Sequence, residues 1–458
     1  MTRPDPGSFR SGPLLLEDAA LFTDLYELTM AAAFFREGIR APATFSLFTR
    51  RLPPGRGFLV AAGLEEVLEY LRGFRFSDGA LARLATLGRF EPAFLDHLGA
   101  LRFTGEVRAV AEGTVLFADE PFLEVTAPLI EAQIVETALL NFVHVQTVLA
   151  SKAARVALAA DGRSVAEFGM RRSHGMDAGL KAARCAYLAG CGATSDVLAG
   201  SVYGIPLAGT MAHSYVTAFS DELEAFRAYA RAFPDDAILL LDTYDTLEGA
   251  RKAAVVAGEL AARGHKLAGV RLDSGDLLRL SREVRRILDE AGFPAVRILV
   301  SGGLDEHDTE RLLAAGAPID AFGVGTRMNV SADAPSVDLV YKLVEYNGRD
   351  VLKLSEGKET WVGPKAIYRL HDKDVLALAE EPPPAEGVES LLQPVMRAGV
   401  LLRPHPTLAE ARAHCLGQIA QLPEGLCKLD QPDVRPVRAS SALRARQAAA
   451  VAAARRGG

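Results

Sequence analysis

Several side chains able to do chemistry stand directly after short apolar runs in the middle of the chain. Asp273-Ser274-Gly275-Asp276 follows the run LAGVRL, with Arg271 two residues earlier. Closely spaced carboxylates after a strand hold ribose hydroxyls or a hydrated Mg²⁺, or they cap the next helix. We assign function to Asp273 and the cap to Asp276. Ser301-Gly302-Gly303 and Gly323-Val324-Gly325-Thr326 are glycine turns of the kind that lets backbone N–H groups approach an anion. Arg171 and Arg172 follow Glu167-Phe168-Gly169. A guanidinium fork suits carboxylate or phosphate, and Phe168 either stacks on a flat ring or packs in the core. His213, in the segment GTMAHS, is placed for acid–base or nucleophilic work. Its ring needs a carboxylate to orient it, and Asp242 and Asp245 are the candidates. His174 reads as a loop residue, and His265, His307, His405 and His414 as surface positions.

The elements that must position these groups show in the rhythm of the chain. From about residue 140, short β-rich runs each end in a polar or glycine stop, and a helical stretch follows. The runs are SVAEFG, ATSD, IPLAG, AILLL, LAGVRL, RILV and DAFGV. The last four recur at roughly 25–30 residues, the length of one strand, one helix and two loops. Leu277, Leu280, Val284, Ile287 and Leu288 trace an amphipathic helix that Gly292 ends. Successive βα units with polar strand ends predict an α/β barrel, with an open doubly wound sheet as the alternative. Both place the site at the strands' carboxyl ends.

Outside this region the pattern is mixed. Residues 1–13 read as a disordered lead. A helix is expected from about Leu21, carrying Leu25, Leu28 and Met30, with Asp18 as a cap. ATFSLFTRRLPP reads as a strand stopping at Pro53, residues 104–130 as an antiparallel β region, and VYKLVEYNG and DVLKLS as strands. Residues 382–388 are a proline loop. The Ala- and Arg-rich 438–458 tail is expected to be a frayed helix or disordered, with no function assigned. The domain scheme is therefore 14–139 and 337–437 as two parts of an α+β domain flanking a catalytic barrel at 140–336.

The net charge of −7 argues against sequence-independent nucleic-acid binding. The four cysteines form no CxxC pair and read as free thiols. No run approaches the roughly 20 apolar residues that cross a bilayer. The expectation is a cytoplasmic protein without membrane or nucleic-acid partners.

Taken in order, the motifs resemble the nicotinate phosphoribosyltransferases. The matching pieces are TDLYELTM from Thr23, EFGMRR from Glu167, AGTMAHS from Ala208, DTYD from Asp242, VRLDSGD from Val270, SGG from Ser301 and FGVGT from Phe322. YKL from Tyr341 and GPK from Gly363 extend the match over roughly residues 14–370. The resemblance implies an irregular α/β barrel with a second, open-faced α+β domain built from the N- and C-terminal segments. It implies nicotinate, 5-phosphoribosyl-1-pyrophosphate and ATP as ligands. Mg²⁺ would come with the substrate phosphates, without a dedicated protein metal site. His213 would be phosphorylated by ATP and oriented by Asp242. Phe168 would stack on the pyridine ring, and Tyr26 of the second subunit of a homodimer on its other face. Arg171 and Arg271 would meet phosphate or carboxylate, and Asp273 the ribose. Ser195, Asp196, Thr210, Ser274 and Gly275 would line the substrate. Ser301, Gly302, Gly303, Gly323, Gly325 and Thr326 would cradle the 5′-phosphate.

One position departs from the family, which usually has Ser-Asn where this chain has Ser195-Asp196. An aspartate there resembles the nicotinamide phosphoribosyltransferases, and a carboxylate facing nicotinate would repel it unless protonated or paired. A nicotinamide-specific transferase is therefore the near alternative. A non-catalytic binder of phosphoribosyl compounds is the alternative from another class, and the histidine motif argues against it. Quinolinate phosphoribosyltransferases lack that motif. The nucleotide-salvage transferases of the other fold type need an acidic pair and Thr/Gly loop that this sequence lacks.

Overall fold

The computed structural model describes residues 18–354 and 360–457. The expected lead at 1–13, and the last residue of DVLKLS, lie outside the described residues. The chain divides into two compact units, one of residues 152–333 and one of 1–151 with 334–458.

The 152–333 unit holds a six-stranded sheet. Its order is Ala193–Thr194, Ser164–Glu167, Ala321–Val324, Arg297–Val300, Gly269–Leu272, Ile238–Leu240, with every pairing parallel. Parallel neighbours need a crossover, and helices provide it: Met176–Leu188, Thr246–Ala261, Leu277–Glu290 and Glu306–Ala314. Each of the last three starts on an aspartate. Asp245, Asp276 and Asp305 take backbone N–H bonds from the first turn, and Asp305 forms a reciprocal capping box with Asp308. Thus the polar residue that ends one loop also starts the next helix. The expected seventh strand, IPLAG, is not a strand. It contributes only an isolated bridge from Leu207 to Thr194, since Pro206 has no N–H to continue a ladder.

The other unit is mostly antiparallel. Its seven-stranded sheet runs Arg349–Asp350, Leu339–Tyr346, Pro42–Thr49, Pro121–Pro128, Glu106–Ala109, Gln393–Arg397, Val400–Leu401. Pro42–Thr49 therefore lies between a C-terminal and an N-terminal strand. The strand stops at Thr49, four residues before Pro53. Phe45 and Tyr341 stack at 4.7 Å across the central pair, and the Tyr341 hydroxyl donates to the Ala132 carbonyl at 2.9 Å. Asn347 and Gly348, at φ +50° and +69°, close the hairpin after Tyr346.

Two expectations for this unit need correction. Asp18 stands at the N-cap position of a short 3₁₀ turn, Ala19–Leu21, with no side-chain cap bond, and its carboxylate accepts from Ser77 and Arg83. The α-helix begins later, as Leu25–Arg36, with Asp24 at its N-cap position and no side-chain cap bond; its buried face is Glu27, Leu28 and Ala31, so Leu25 stays exposed. The 438–458 tail is neither frayed nor disordered through its described part. Val437–Ala439 pairs with Asp374–Leu378, and Ser441–Gly457 is helical. Leu443 is fully buried, and Arg446 pairs with Glu345, Asp350 and Glu380.

Among the described residues, no helix is long and apolar enough to cross a membrane. None of the four cysteines is in a disulfide; three are buried and Cys427 partly so.

Candidate active site

The carboxyl ends of the parallel strands carry a connected set of polar side chains. Arg271, near the end of Gly269–Leu272, donates to the Thr210 hydroxyl and lies 3.7 Å from Asp273 Oδ1. The Ser301 hydroxyl donates to that same Asp273 oxygen. Asp242 Oδ2 accepts from the Asp273 backbone N–H at 3.2 Å and from the Ser274 hydroxyl. Four chain segments, at 210, 242, 271–274 and 301, are thereby drawn together. Gly302, at φ +100°, is required here because a β-carbon would collide with the Asp273 carbonyl.

Burial lowers the Arg271 pKa from its ordinary value, and the Asp273 and Asp242 carboxylates oppose that. The charge of Arg171 adds to the lowering, so the two cations share one field. Arg171 itself is exposed. Among the described residues, Arg271 Nε and Asp242 Oδ1 are buried with no hydrogen-bond partner. A cation and an acceptor held in this way are ready for a ligand's charge and donors.

His213 opens a short helix, His213–Thr217, and is half-buried. Its Nδ1 lies 3.2 Å from the Thr243 hydroxyl. Among the described residues this replaces the expected bond to Asp242, whose Oδ2 is taken by Ser274 and the Asp273 N–H. Asp245 is the cap of Thr246–Ala261. Thr243 stands inside the DTYD motif, but nothing in its type marked it as the ring's partner.

A second cluster adjoins the first. Phe168 follows the strand Ser164–Glu167, and its N–H donates to the Val324 carbonyl at 2.8 Å. A β-carbon on Gly323 would come 2.5–2.6 Å from the Phe168 ring and 3.2 Å from Ser301 Cβ. Gly323 is thus a packing glycine that gives the Phe168 ring its place. Phe168 is half-buried, which leaves part of the ring free. Gly303 and Gly275 take φ of +70° and +83°, and Thr326 is exposed at the start of Thr326–Asn329.

Asp196 also departs from expectation. Its Oδ1 accepts from the Leu198 and Ala199 N–H groups, capping Val197–Tyr203, and the residue is buried. The adjacent Ser195 donates its N–H to the Glu167 carbonyl at 2.9 Å. Glu167 itself, fully buried, accepts from Thr194 Oγ1 at 2.6 Å, Asn329 Nδ2 at 2.8 Å and the Gly169 N–H. Burial raises its pKa against those hydrogen bonds. Nothing local in the sequence marks Glu167 or Asn329 for this role.

Two of the other histidines are not the surface residues expected. His405 is enclosed against Glu69 at 2.9 Å, and the half-buried His414 meets Thr114 at 3.0 Å. Tyr26 belongs to the other unit, where 49% of it is exposed at the start of the first helix.

Three family models match the chain in succession. They are the nicotinate phosphoribosyltransferase N-terminal domain over residues 21–144, the nicotinate phosphoribosyltransferase family over 163–380, and its C-terminal domain over 385–447. A nicotinate phosphoribosyltransferase of Mycobacterium tuberculosis is 49% identical over 90% of this chain and 89% of its own. The chain belongs to the nicotinate phosphoribosyltransferase family. The Bacillus subtilis nicotinate phosphoribosyltransferase is 38% identical over 92% of this chain and 93% of its own. The crystal structure of human nicotinic acid phosphoribosyltransferase is similar with a TM-score of 0.83 at 34% identity, covering 93% of this chain and 99% of that one. The clusters just described thus stand in the motifs by which the sequence resembled nicotinate phosphoribosyltransferases.

Proposed function

We propose that the chain transfers the phosphoribosyl group of 5-phosphoribosyl-1-pyrophosphate to nicotinate, giving nicotinate mononucleotide and pyrophosphate, with ATP hydrolysis driving the step. The observation that carries this reading is the half-buried Arg271, tied to Thr210 and Asp273 beside the His213 segment, with its buried Nε unpartnered among the described residues.

The chemistry asks for a clamp more than for strong acid–base groups. The ring nitrogen of nicotinate attacks C1′ of the sugar while the bond from C1′ to the pyrophosphate oxygen breaks. Positive charge grows on the sugar and negative charge on the leaving group, so held cations and backbone N–H groups lower the barrier. Arg271 and Arg171 are the cations for the leaving group and the carboxylate. Asp273, with Ser274 and Gly275 beside it, is the ribose contact. Phe168 stacks on the pyridine. The turns at Ser301–Gly303 and Gly323–Thr326 hold the 5′-phosphate. His213 takes the γ-phosphoryl group of ATP: a nitrogen–phosphorus bond forms, the bridging oxygen–phosphorus bond breaks, and ADP leaves. Water then cleaves the phosphohistidine.

Asp242 and Asp273 offer hard carboxylate oxygens, one of them unpartnered, and this donor set fits Mg²⁺. Bound with the substrate phosphates, the ion would neutralise their charge. Among the described residues no group of three or more His, Cys, Asp or Glu is placed to hold a metal, so substrate oxygens would complete its shell.

We read the parallel sheet as an irregular α/β barrel. The first strand, Ser164–Glu167, pairs with the last, Ala321–Val324, and Leu207 adds a bridge to Thr194 at one edge of the sheet. In this reading 140–336 is the catalytic barrel, and 14–139 with 337–437 is the open-faced domain. A homodimer sharing its sites is supported by exposed apolar residues. Leu25 and Tyr26 stand at the first helix, and Met170, Met176, Val197, Leu198 and Tyr244 follow the strand ends. The four thiols held outside any disulfide support a cytoplasmic location.

The cap on Asp196 favours nicotinate over nicotinamide, because its carboxylate oxygen is engaged by two backbone N–H groups. The deciding experiment is pyrophosphate release with phosphoribosyl pyrophosphate, Mg²⁺ and ATP, comparing nicotinate with nicotinamide. Turnover with nicotinate is expected. Preference for nicotinamide, or no turnover, would overturn the reading. His213→Ala should abolish ATP hydrolysis with the fold intact, and unchanged hydrolysis would remove His213 from the mechanism.

A further inference from the structure

The loop that carries Phe168 and Arg171 is fastened at both ends by one side chain from outside it. Asn329 closes the short helix Thr326–Asn329, which runs straight on from the second glycine turn. Its Nδ2 donates to Glu167 Oε1 at 2.8 Å, just before the loop, and to Ser173 Oγ at 3.0 Å, just after it. Between these ends the amide lies flat on Gly169. A β-carbon there would come 2.7 Å from Nδ2 and still nearer to Cγ and Oδ1. Gly169 therefore has to be glycine for the amide to reach both acceptors.

The amide's orientation is fixed by chemistry. Glu167 is fully buried and also accepts from Thr194 and the Gly169 N–H. Reversing Asn329 would turn Oδ1 onto a carboxylate, acceptor against acceptor. The orientation present uses both amide hydrogens and leaves Oδ1 buried without a partner among the described residues. An uncompensated buried acceptor is a cost, and the two donated bonds offset it only if the loop stays in this position.

We propose that Asn329 is a positioning residue for base recognition: it locks the Phe168–Arg171 loop to the turn that begins the phosphate-binding helix. The proposal rests on the reading above of Phe168 and Arg171 as the contacts to nicotinate. Its consequence is selective. Displacing Phe168 by about 1 Å disturbs the alignment of ring and sugar, whereas the glycine turns keep their own backbone bonds.

The test is initial-rate kinetics of wild type, Asn329→Ala, Gly169→Ala and the double variant, with thermal unfolding as the folding control. In Asn329→Ala the KM for nicotinate should rise about tenfold or more, the scale of one hydrogen bond to a buried charge. The KM for phosphoribosyl pyrophosphate should stay within about twofold. Gly169→Ala should show the same selectivity. In the double variant the truncated side chain makes room for the new methyl, so nicotinate KM should be no worse than in Asn329→Ala alone. Equal rises in both KM values, unchanged KM values, or strict additivity in the double variant would each overturn the proposal. If Asn329→Ala does not fold, Gly169→Ala decides by the same split. No turnover in wild type would remove the functional reading and this inference together, whereas wild-type turnover with an unselective variant removes only the inference.

Discussion

The Nδ1 atom of His213 lies 3.2 Å from the hydroxyl of Thr243. His213 comes from the segment after the Leu207 bridge and Thr243 from just past the end of the strand Ile238–Leu240, and the hydroxyl occupies the place where a carboxylate was expected. A hydroxyl accepts from Nδ1–H or donates to a bare Nδ1, so it orients the ring without fixing a charge on it. When Nδ1 carries the hydrogen, Nε2 is free to attack phosphorus. Thr243→Val, which keeps the shape and removes the hydroxyl, should cut ATP hydrolysis and phosphoenzyme yield about tenfold, and Thr243→Ser should restore most of it. Acid-labile incorporation of the γ-phosphate measures both. Equal yields from the valine variant and wild type would show that the contact is incidental.

Asp196 is expected to tolerate asparagine. Asparagine and aspartate cap helices about equally well. Asp196→Asn should therefore leave stability and the nicotinate-to-nicotinamide ratio of kcat/KM within about twofold of wild type. Asp196→Ala should cost about 1 kcal/mol of stability, read by denaturant unfolding. A reversal of base preference in the asparagine variant would mean that the carboxylate reaches the ligand.

Gly323 should be intolerant for a reason unrelated to backbone conformation. A methyl group there meets the Phe168 ring at 2.5–2.6 Å. Gly323→Ala should therefore move the ring and raise nicotinate KM by about tenfold or more, given the sensitivity of transfer to alignment. Steady-state kinetics with varied nicotinate would show it, and an unchanged KM would place the base elsewhere.

Glu27 gives the fold a pH dependence. Its carboxyl is pushed up to about 7, first by burial, with Glu136 and Asp24 adding to the rise and the Thr23 and Thr137 hydroxyls opposing it. The unfolded chain loses this proton near the ordinary value of 4.5, while the folded chain keeps it to about 7. Folding stability from this group is thus fully present below 4.5 and falls as pH rises through that window. Glu27→Gln should flatten the pH dependence of Tm between those values. At pH 8 it should gain up to roughly 3 kcal/mol, less whatever the hydroxyl contacts lose. An unaltered Tm-against-pH curve would refute the assignment.

Much of the site was legible because short motifs carry their own physics. A strand, a glycine and an acidic or basic residue in sequence predict a strand end with a ligand-facing group, whichever strands become neighbours. Asp276 could be read as a cap, and Asp273 and Ser301 as strand-end groups, from local spacing alone. Three things were beyond that spacing. The partner of His213 depends on whether Thr243 or Asp242 points at it, and the Asp273 N–H and Ser274 claim Asp242. The role of Gly323 depends on Phe168, over 150 residues away in sequence but just past the end of the adjacent strand. The tail could be read only as a frayed helix or disorder because its composition is monotonous, yet Arg446 finds three carboxylates brought to it by two other strands and a loop. The sequence by itself determined which groups gather at the strand ends, because strand and turn formation are local. Only the tertiary structure decided which of them touch, because hydrogen bonds and close packing are settled by distances between segments that the chain order does not contain.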